Sequence, residues 1–476
     1  MSKDLIDYRK RVLDSKSASF CGAKWYNATT WLGSGTTASC HHPTAHKIPL
    51  VELRDDYTAI HNTKHKKATR KMMQEGERPL ECEYCWRIED MGKDAVSDRV
   101  FKSQIYSEKD LQEAYDKSWE DSVNLKTFEI AFDRTCNLAC SYCNPSFSTT
   151  WARDIKKNGP YQNLLSDGAG AFEQDGSWTE PYGRDEENPY IEAFWKWWDN
   201  GLSESLEELR VTGGEPLMSG NTWKLFDWFE EQDSDMRFSI NSNLIAKDEI
   251  VDKLIEKSHR VKNFELYTSA ECFGVHQEYL RDGFDWEVWH RNMLRFANEG
   301  NYNSINIMMT ITGLSLFSTT EFLDEVYEMK KHSKSGTHPV VSVNILRFPS
   351  FQNILTLPKE IREHCRQDLV LWFEENRTKP QWLEFELASI ERLIEYLATD
   401  ETPHRKASNR DTLWQDMKAF YTQYDERRNK DINVFPEIFT DWYDTINSGY
   451  KKAELHSGDN TVFLDDDRLI ELKDIL

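Results

Sequence analysis

From about residue 125, short runs of β-branched and aromatic residues alternate with amphipathic stretches such as AKDEIVDKLIEKSH and TEFLDEVYEMKKH. The runs have the length of strands, and the stretches carry apolar residues at helical spacing. Strands that alternate with helices build a parallel sheet, so the pattern predicts an α/β fold, either an open doubly wound sheet or a partial barrel. The six predicted strands are 127–132, 208–212, 237–241, 264–269, 305–312 and 340–347.

This alternation occupies residues 123–378 and separates two regions of different character. Residues 1–122 are rich in cysteine, and residues 379–476 are predicted to be mostly helical. An insertion rich in Gly, Asp, Glu and Pro interrupts the alternation at about 158–190. Such a segment is either a mobile acidic loop or a lid that contacts substrate.

Charge and cysteine usage narrow the class of protein. Asp and Glu outnumber Lys and Arg by 82 to 59 in the 476 residues, a net charge of -23, and this balance disfavours nucleic acid as a partner. The charged N-terminus and the lack of a long apolar run predict a cytoplasmic protein that does not contact membranes. Seven of the nine cysteines fall in two clusters, which favours metal ligation over disulfides.

The stretch DRTCNLACSYC brings three thiols, Cys136, Cys140 and Cys143, into one loop directly after the first predicted strand. A structural zinc site needs four ligands, so zinc would require a fourth from elsewhere. A [4Fe-4S] cluster held by three thiolates instead leaves one iron open to a substrate or cofactor. Both alternatives are open at this point.

A second motif, VTGGEP, ends the next predicted strand. Glycines allow the backbone to approach a ligand closely, and a carboxylate beside them can accept hydrogen bonds from a ligand ammonium group. The motif residues are Gly213, Gly214, Glu215 and Pro216.

Together, the x3-x2 cysteine spacing and the GGEP one strand later closely resemble the radical S-adenosylmethionine superfamily. The resemblance covers roughly residues 125–350. It implies a partial (β/α)6 TIM-like barrel and a [4Fe-4S] cluster on Cys136, Cys140 and Cys143. It also implies that S-adenosylmethionine chelates the open iron and is cleaved reductively, giving a 5'-deoxyadenosyl radical that abstracts hydrogen.

Further positions match cofactor contacts of the family. The resemblance places the methionine amino group on the GGEP stretch and the ribose near the ends of the third and fourth strands, although Leu244 stands where the family has a glycine. Gly313 falls in the adenine-flanking segment. Arg347, after the sixth strand, either pairs with the cofactor carboxylate or is a surface arginine. The candidate cofactor-binding residues are Tyr142, Gly213, Gly214, Glu215, Pro216, Asn241, Asn243, Ser269 and Arg347.

Glu271 and Cys272 follow the fourth strand and are the candidate catalytic residues. In relatives an acidic residue there faces the substrate, where it could act as a general base; the alternative for Glu271 is a structural or ribose-contacting role. Cys272 is either a buried structural thiol or one that faces substrate or an auxiliary metal. Cys365 shares a helical face with apolar residues and is assigned to the core.

Four more cysteines lie upstream, in FCGAKWYNATTWLGSGTTASCHHP and GERPLECEYCWRIED: Cys21, Cys40, Cys82 and Cys85. Four thiolates ending in CxxC fit an ordinary zinc ribbon. The surrounding Trp, Gly and Pro resemble twitch or SPASM modules, which hold an auxiliary [4Fe-4S] cluster, although such modules usually follow the barrel. His41, His42 and His46 either replace one of the Cys ligands or are solvated.

The sequence thus predicts a radical S-adenosylmethionine oxidoreductase, with an auxiliary module at 1–122, the barrel at 123–378 and a helical C-terminal region. Relatives with such modules act on peptide or protein side chains or on small molecules, and an electron donor such as flavodoxin or ferredoxin is implied. The alternative is a non-catalytic iron-sulfur or zinc-binding protein on a similar barrel.

Overall fold

All six predicted strands lie in one sheet of the computed structural model, which describes residues 2–92, 95–179, 182, 187–399 and 409–450. Three short strands extend this sheet, and two more form a separate two-stranded sheet. The strands are β1 (Asn27–Trp31), β2 (Thr36–Ala38), β3 (His46–Lys47), β4 (Thr127–Ala131), β5 (Ala139–Cys140), β6 (Glu208–Thr212), β7 (Arg237–Asn241), β8 (Asn263–Thr268), β9 (Arg281–Asp282), β10 (Ser304–Ile311) and β11 (Val340–Ile345).

The main sheet has the order β11-β10-β8-β7-β6-β4-β1-β2-β3. Neighbours from β11 to β1 are parallel, whereas β2 and β3 are antiparallel additions. The register aligns Ile130, Val211, Ile240 and Leu266 across four strands, and all four are buried. A mixed α/β fold with a large parallel sheet, consistent with the predicted barrel class, is thereby confirmed.

Helices connect the strands and cover the outer face of the sheet. The N-terminal ones are α1 (Ser2–Tyr8), α2 (Ala23–Tyr26), α3 (Leu50–Asp55), α4 (Lys64–Gln74), α5 (Glu83–Glu89), α6 (Asp98–Gln104) and α7 (Glu108–Asp116). Those between β5 and β11 are α8 (Thr149–Asn158), α9 (Pro189–Trp197), α10 (Ser203–Ser205), α11 (Gly220–Glu231), α12 (Asp248–Ser258), α13 (Gly274–Leu280), α14 (Trp286–Glu299) and α15 (Thr319–His332). The last four are α16 (Lys359–Asn376), α17 (Glu384–Leu397), α18 (Arg410–Arg428) and α19 (Glu437–Thr445).

The N-terminal region shares the sheet with the barrel. Strand β1 pairs with β4 along its whole length, from Asn27 opposite Thr127 to Trp31 opposite Ala131. The sheet therefore crosses the predicted boundary between residues 122 and 123 and gains a seventh parallel strand. A second, smaller core that includes Phe20, Trp25 and Trp86 surrounds the upstream cysteines.

The described part of the C-terminal region is helical, as predicted, and belongs to the main core. Phe420, Tyr421 and Tyr424 of α18 are fully buried. Cys365, in α16 before this region, is 3% exposed, which confirms its assignment to the core. Residues 400–408 and 451–476 of this region lie outside the described residues. Among the helices of the described ranges, none combines the length and the apolar character needed to cross a membrane.

The insertion at 158–190 packs on the protein where it is described; residues 180–181 and 183–186 are outside that range. Phe172 is 1% exposed. The Asp416 carboxylate of α18 accepts hydrogen bonds from the backbone N–H groups of Leu165 and Ser166 at 2.7 to 3.1 Å. These contacts argue against a mobile loop, and the role of a lid stays a prediction.

Candidate functional site

The three-cysteine loop follows β4 and is held by the start of α8. Ser148 and Thr150 hydroxyls donate to the carbonyls of Leu138 and Cys136 at 2.7 Å each, and the Trp151 indole donates to the Cys140 carbonyl at 2.9 Å. The backbone carbonyls of the loop are thus tied to the helix. The three thiols are free and partly exposed.

A buried ion pair holds the other side of this loop. Strands β5 and β9 pair Cys140 with Arg281, and the Arg281 guanidinium donates to both carboxylate oxygens of Glu271, at 2.8 Å to the nearer. The Tyr142 hydroxyl donates to the same carboxylate at 3.0 Å. One guanidinium N–H also points at the Cys140 sulfur, at 3.7 Å. Glu271 and Arg281 therefore position the cysteine loop.

The two glycines of GGEP lie against the start of the cysteine loop. A Cβ on Gly214 would stand 2.2 Å from the Thr135 carbonyl oxygen, and Gly213 has φ +124°, a conformation that favours glycine. The next N–H, that of Glu215, donates to the Thr135 carbonyl at 2.6 Å. The sequence predicts that the backbone approaches another group closely at these glycines. In the structure, the backbone at Gly214 and Glu215 approaches the loop that bears the thiols.

Glu215 is buried at this junction, with 4% of its surface exposed. Its carboxylate accepts from the N–H groups of Leu217 and Asn243 and from the Ser242 hydroxyl, at 2.7 to 3.0 Å. Burial raises its pKa, against the effect of these hydrogen bonds. A carboxylate has about four lone-pair positions, so one remains for a ligand donor.

The end of β7 also contacts the cysteine loop. The Asn243 side chain donates to Asn137 at 2.8 Å. Leu244, which stands where the family has glycine, has φ +56°, a left-handed conformation that costs roughly 1 to 2 kcal/mol for a residue with a side chain. The backbone therefore keeps the shape that the glycine would permit. Asn241 ends β7 and Ser269 follows β8, both partly exposed, and Arg347 is exposed beyond β11.

Burial favours the structural alternative for Glu271 and Cys272, and their catalytic roles stay predictions. The Glu271 side chain has 0% exposure, and a general base must reach the proton that it removes. The Cys272 thiol, also 0% exposed, lies 3.3 Å from the Gln277 side-chain oxygen, and burial raises its pKa well above the usual value. Both residues support the barrel from inside.

The upstream thiols of Cys21, Cys40, Cys82 and Cys85 line one small cavity in the N-terminal region. Burial raises the pKa of Cys82 to about 12, against the opposing charge of Lys24, and that of Cys85 to about 11. Lys24 and Arg99, each 2% exposed, line the same cavity. Both cations are ion-paired, Lys24 with Glu81 and Arg99 with Asp14 and Glu89.

Three potential metal ligands, His41, His42 and Asp98, lie within 4.8 Å of one another in the described part of the chain. His42 and Asp98 also line the cavity of the upstream thiols. A zinc ion held by four thiolates and a [4Fe-4S] cluster are the two centres that these four thiols could hold.

The histidines near Cys40 contact other partners. His42 lies 2.6 Å and His41 3.5 Å from the Asp98 carboxylate, and His46 lies 3.0 Å from the Thr63 hydroxyl. Burial and the charge of Lys102 lower the pKa of His41 to about 4, and Arg347 adds to this effect. The Asn27 side chain, at the start of β1, donates to the Ser39 carbonyl at 2.7 Å, so Cys40 lies near the amino end of that strand.

Sequence reasoning missed the residues that act over long separations. Arg281 is ten residues from its partner Glu271 and 141 from Cys140, and Asp98 joins histidines 56 residues away. Lys24 could have been found from the sequence, because it lies three residues after Cys21 in the CGAKW stretch. A buried charge close to a metal ligand affects the reduction potential of the metal centre.

The residues present fit the groups that the sequence predicts. The first loop offers three free thiols and no fourth, beside one unused position on Glu215. The N-terminal cavity offers four thiols, with cations around them. A [4Fe-4S] cluster with S-adenosylmethionine suits the first donor set, and a fully ligated [4Fe-4S] cluster suits the second.

Comparison with known proteins is sparse. No protein-family model matches the sequence, and the search of curated proteins finds no match. Similar solved structures include SuiB of Streptococcus suis bound to S-adenosylmethionine, with 16% identity and a TM-score of 0.33, over 63% of this chain and 62% of that chain. A second SuiB structure has 14% identity and a TM-score of 0.30, over 69% and 73%. At this level of similarity, function must be argued from the site's own residues.

Proposed function

We propose that this chain is a radical S-adenosylmethionine enzyme. The observation that carries the proposal is one junction, in which a loop of three free thiols packs directly on the GGEP backbone at the carboxyl ends of neighbouring parallel strands. Active sites of parallel barrels lie at that end. Three thiolates with no fourth ligand leave an iron free for a cofactor.

Within this proposal each side chain has a stated task. Cys136, Cys140 and Cys143 hold the cluster, and the free lone pair of Glu215 accepts a hydrogen bond from the cofactor's ammonium group. When bound, the cluster and S-adenosylmethionine supply a carbon radical that removes a hydrogen atom from the substrate. Arg281 and Glu271 keep the thiol loop in place.

The N-terminal cysteines extend the proposal to oxidation. Cys21, Cys40, Cys82 and Cys85 would hold a second [4Fe-4S] cluster with all four irons ligated, which suits electron transfer and not substrate binding. A substrate that has lost a hydrogen atom must lose a further electron and a proton to become a stable oxidised product. The cluster in this cavity would take up that electron, and a carrier such as flavodoxin or ferredoxin would provide the first one.

A second candidate is a non-catalytic iron-sulfur or zinc-binding protein. The observation in its favour is that Glu271 and Cys272, the expected catalytic residues, are buried. Against it stands the three-thiol loop, because a purely structural centre has no need of an open ligand position.

Anaerobic incubation of the reconstituted protein with S-adenosylmethionine and a reductant tests the proposal. We expect 5'-deoxyadenosine from the natural chain and none from a variant with Cys136, Cys140 and Cys143 replaced by Ala. A chain with Cys365→Ala, a core thiol far along the sequence, is the matched control and should retain cleavage. Equal cleavage by the triple variant would refute the assignment.

A further inference from the structure

An apolar cleft opens on the inner face of the sheet, at the carboxyl ends of β1 and β4. Its volume is about 460 Å³, within the range of about 300 to 1,000 Å³ that ligand sites span. Trp31 and Ala131, which are register partners on neighbouring strands, both line it. They share their face of the sheet with Glu129, two residues before Ala131, because side chains alternate along a strand.

Two large aromatic side chains line the cleft without being covered. Phe147 is 47% and Trp178 is 55% exposed. Exposed aromatic surface around a concave site marks a place where a ligand would bind with a gain in free energy. The ammonium group of Lys47 lies 5.9 Å from the Trp178 ring centre and donates to the Ser34 carbonyl at 2.7 Å.

The cleft lies between the two cysteine-bearing loops. Ser146 and Phe147 follow Cys143 closely along the chain, and Thr44 and Ala45 follow Cys40. Of the residues expected to bind the cofactor, Gly213 alone lines the cleft. The cleft is therefore next to the expected cofactor site and distinct from the expected ribose contacts.

The insertion closes one side of the cleft and is seated on the first loop. Arg134 donates to the Asp175 carbonyl at 3.0 Å. A Cβ on Gly176, which has φ +66°, would lie 2.6 Å from the Pro145 carbonyl oxygen. Trp178 is two residues further along, so its ring belongs to a segment that touches the cysteine loop.

We propose that this cleft binds the reacting part of the substrate and that this part carries an aromatic ring. That the ligand is a substrate rests on the proposed function. The binding of an aromatic ring in the cleft does not depend on radical chemistry. Trp31, Phe147 and Trp178 offer the stacked and edge-on contacts that aromatic rings favour. The ring belongs either to a free aromatic compound or to an aromatic side chain of a peptide.

Calorimetry on the full-length, anaerobically reconstituted protein tests the cleft, with indole and a tryptophan-containing hexapeptide as probes. The substitution Ala45→Trp places a large ring in the cleft, because Ala45 lines it. Since this ring would occupy the space of the ligand, we expect both probes to bind about tenfold more weakly or not at all. Trp178→Ala, at the exposed rim, provides a second variant should the first fail to fold. Phe385→Ala, 53% exposed on α17, is the matched control and should bind as the natural chain does.

Tighter binding of the hexapeptide assigns the ring to a peptide side chain, and tighter binding of indole assigns it to a free compound. The inference is overturned if the probes bind equally to the natural chain and to both cleft variants. It is also overturned if neither probe binds the natural chain at millimolar concentration. Cofactor cleavage measured in parallel separates the two proposals. Variant-sensitive binding without any 5'-deoxyadenosine would refute the radical function and leave the cleft assigned.

Discussion

At the scale of single residues, a few buried charged side chains hold together the segments that surround the thiol loop. Glu215 joins GGEP to the end of β7 through three hydrogen bonds, and Arg281 joins Glu271 to the cysteine loop. These side chains are almost completely shielded from water. Their effects on binding and on stability can therefore be separated by substitutions that preserve shape.

Glu215→Gln keeps the size of the side chain and removes its charge. A charge-assisted hydrogen bond to the cofactor's ammonium group is worth on the order of 1.5 to 3 kcal/mol, so we expect S-adenosylmethionine to bind at least about tenfold more weakly. Calorimetry on the iron-loaded protein measures this, with Glu287→Gln, an exposed residue of α14, as the control. Unchanged affinity would show that the glycine backbone alone carries the contact.

Arg281→Met leaves the Glu271 carboxylate buried without its cation. Breaking a buried pair in this way costs about 3 to 5 kcal/mol, and we expect a loss of that order in the free energy of unfolding together with a loss of iron from the first loop. Arg291 pairs with Asp248 at 3.0 Å with both side chains more than half exposed. Arg291→Met should cost at most about 1 kcal/mol. Denaturant titration compares the two, and equal small losses would remove the positioning role.

At the scale of elements, the strands that sequence reasoning found are the ones with alternating apolar residues. Ile130, Val211 and Ile240 mark β4, β6 and β7 and pack under the helices. Strands β1 to β3 were not predicted because they are two to five residues long and lack an alternation of apolar and polar residues. Strand β1 pairs with β4, which lies about a hundred residues away, and a local pattern carries no information on such a partner.

In the site, too, contacts between residues close in the sequence were predicted and contacts between distant residues were not. Cysteine spacing and GGEP identified the thiol loop and Glu215, because those residues are close together in the sequence. The Tyr142–Glu271–Arg281 contacts could not be predicted, since they arise from β5 pairing with β9 over about 140 residues. These contacts favour the structural role of Glu271 that the sequence left open.

Strand β1 leads to a prediction about the N-terminal region. It covers the edge of β4 and contributes Trp31 to the cleft, so a chain that begins at residue 123 would expose an unpaired edge strand. Such edges promote association between chains. We expect the shortened chain to aggregate or to elute as oligomers in size-exclusion chromatography, while the full chain elutes as a defined species. A monodisperse, folded product from residue 123 onward would show that the barrel is independent.

At the scale of the whole molecule, two cores are in contact at the start of β4, where the hydroxyls of Tyr106 and Thr127 lie 2.7 Å apart. The main core runs from β1 to α19, and the smaller core surrounds the four upstream thiols. The loop after Cys40 and the loop after Cys143 both line the aromatic cleft. This arrangement would place a substrate between a centre that starts a radical reaction and a centre that accepts an electron.

Counting iron and sulfide per chain tests this account most directly. If both thiol sets hold [4Fe-4S] clusters, the anaerobically reconstituted chain should contain about eight irons and eight sulfides. The variant with Cys136, Cys140 and Cys143 replaced by Ala should retain about four of each, held by Cys21, Cys40, Cys82 and Cys85. One zinc and no sulfide in that variant would contradict the account, because the N-terminal region would then be a structural zinc module with no part in electron transfer.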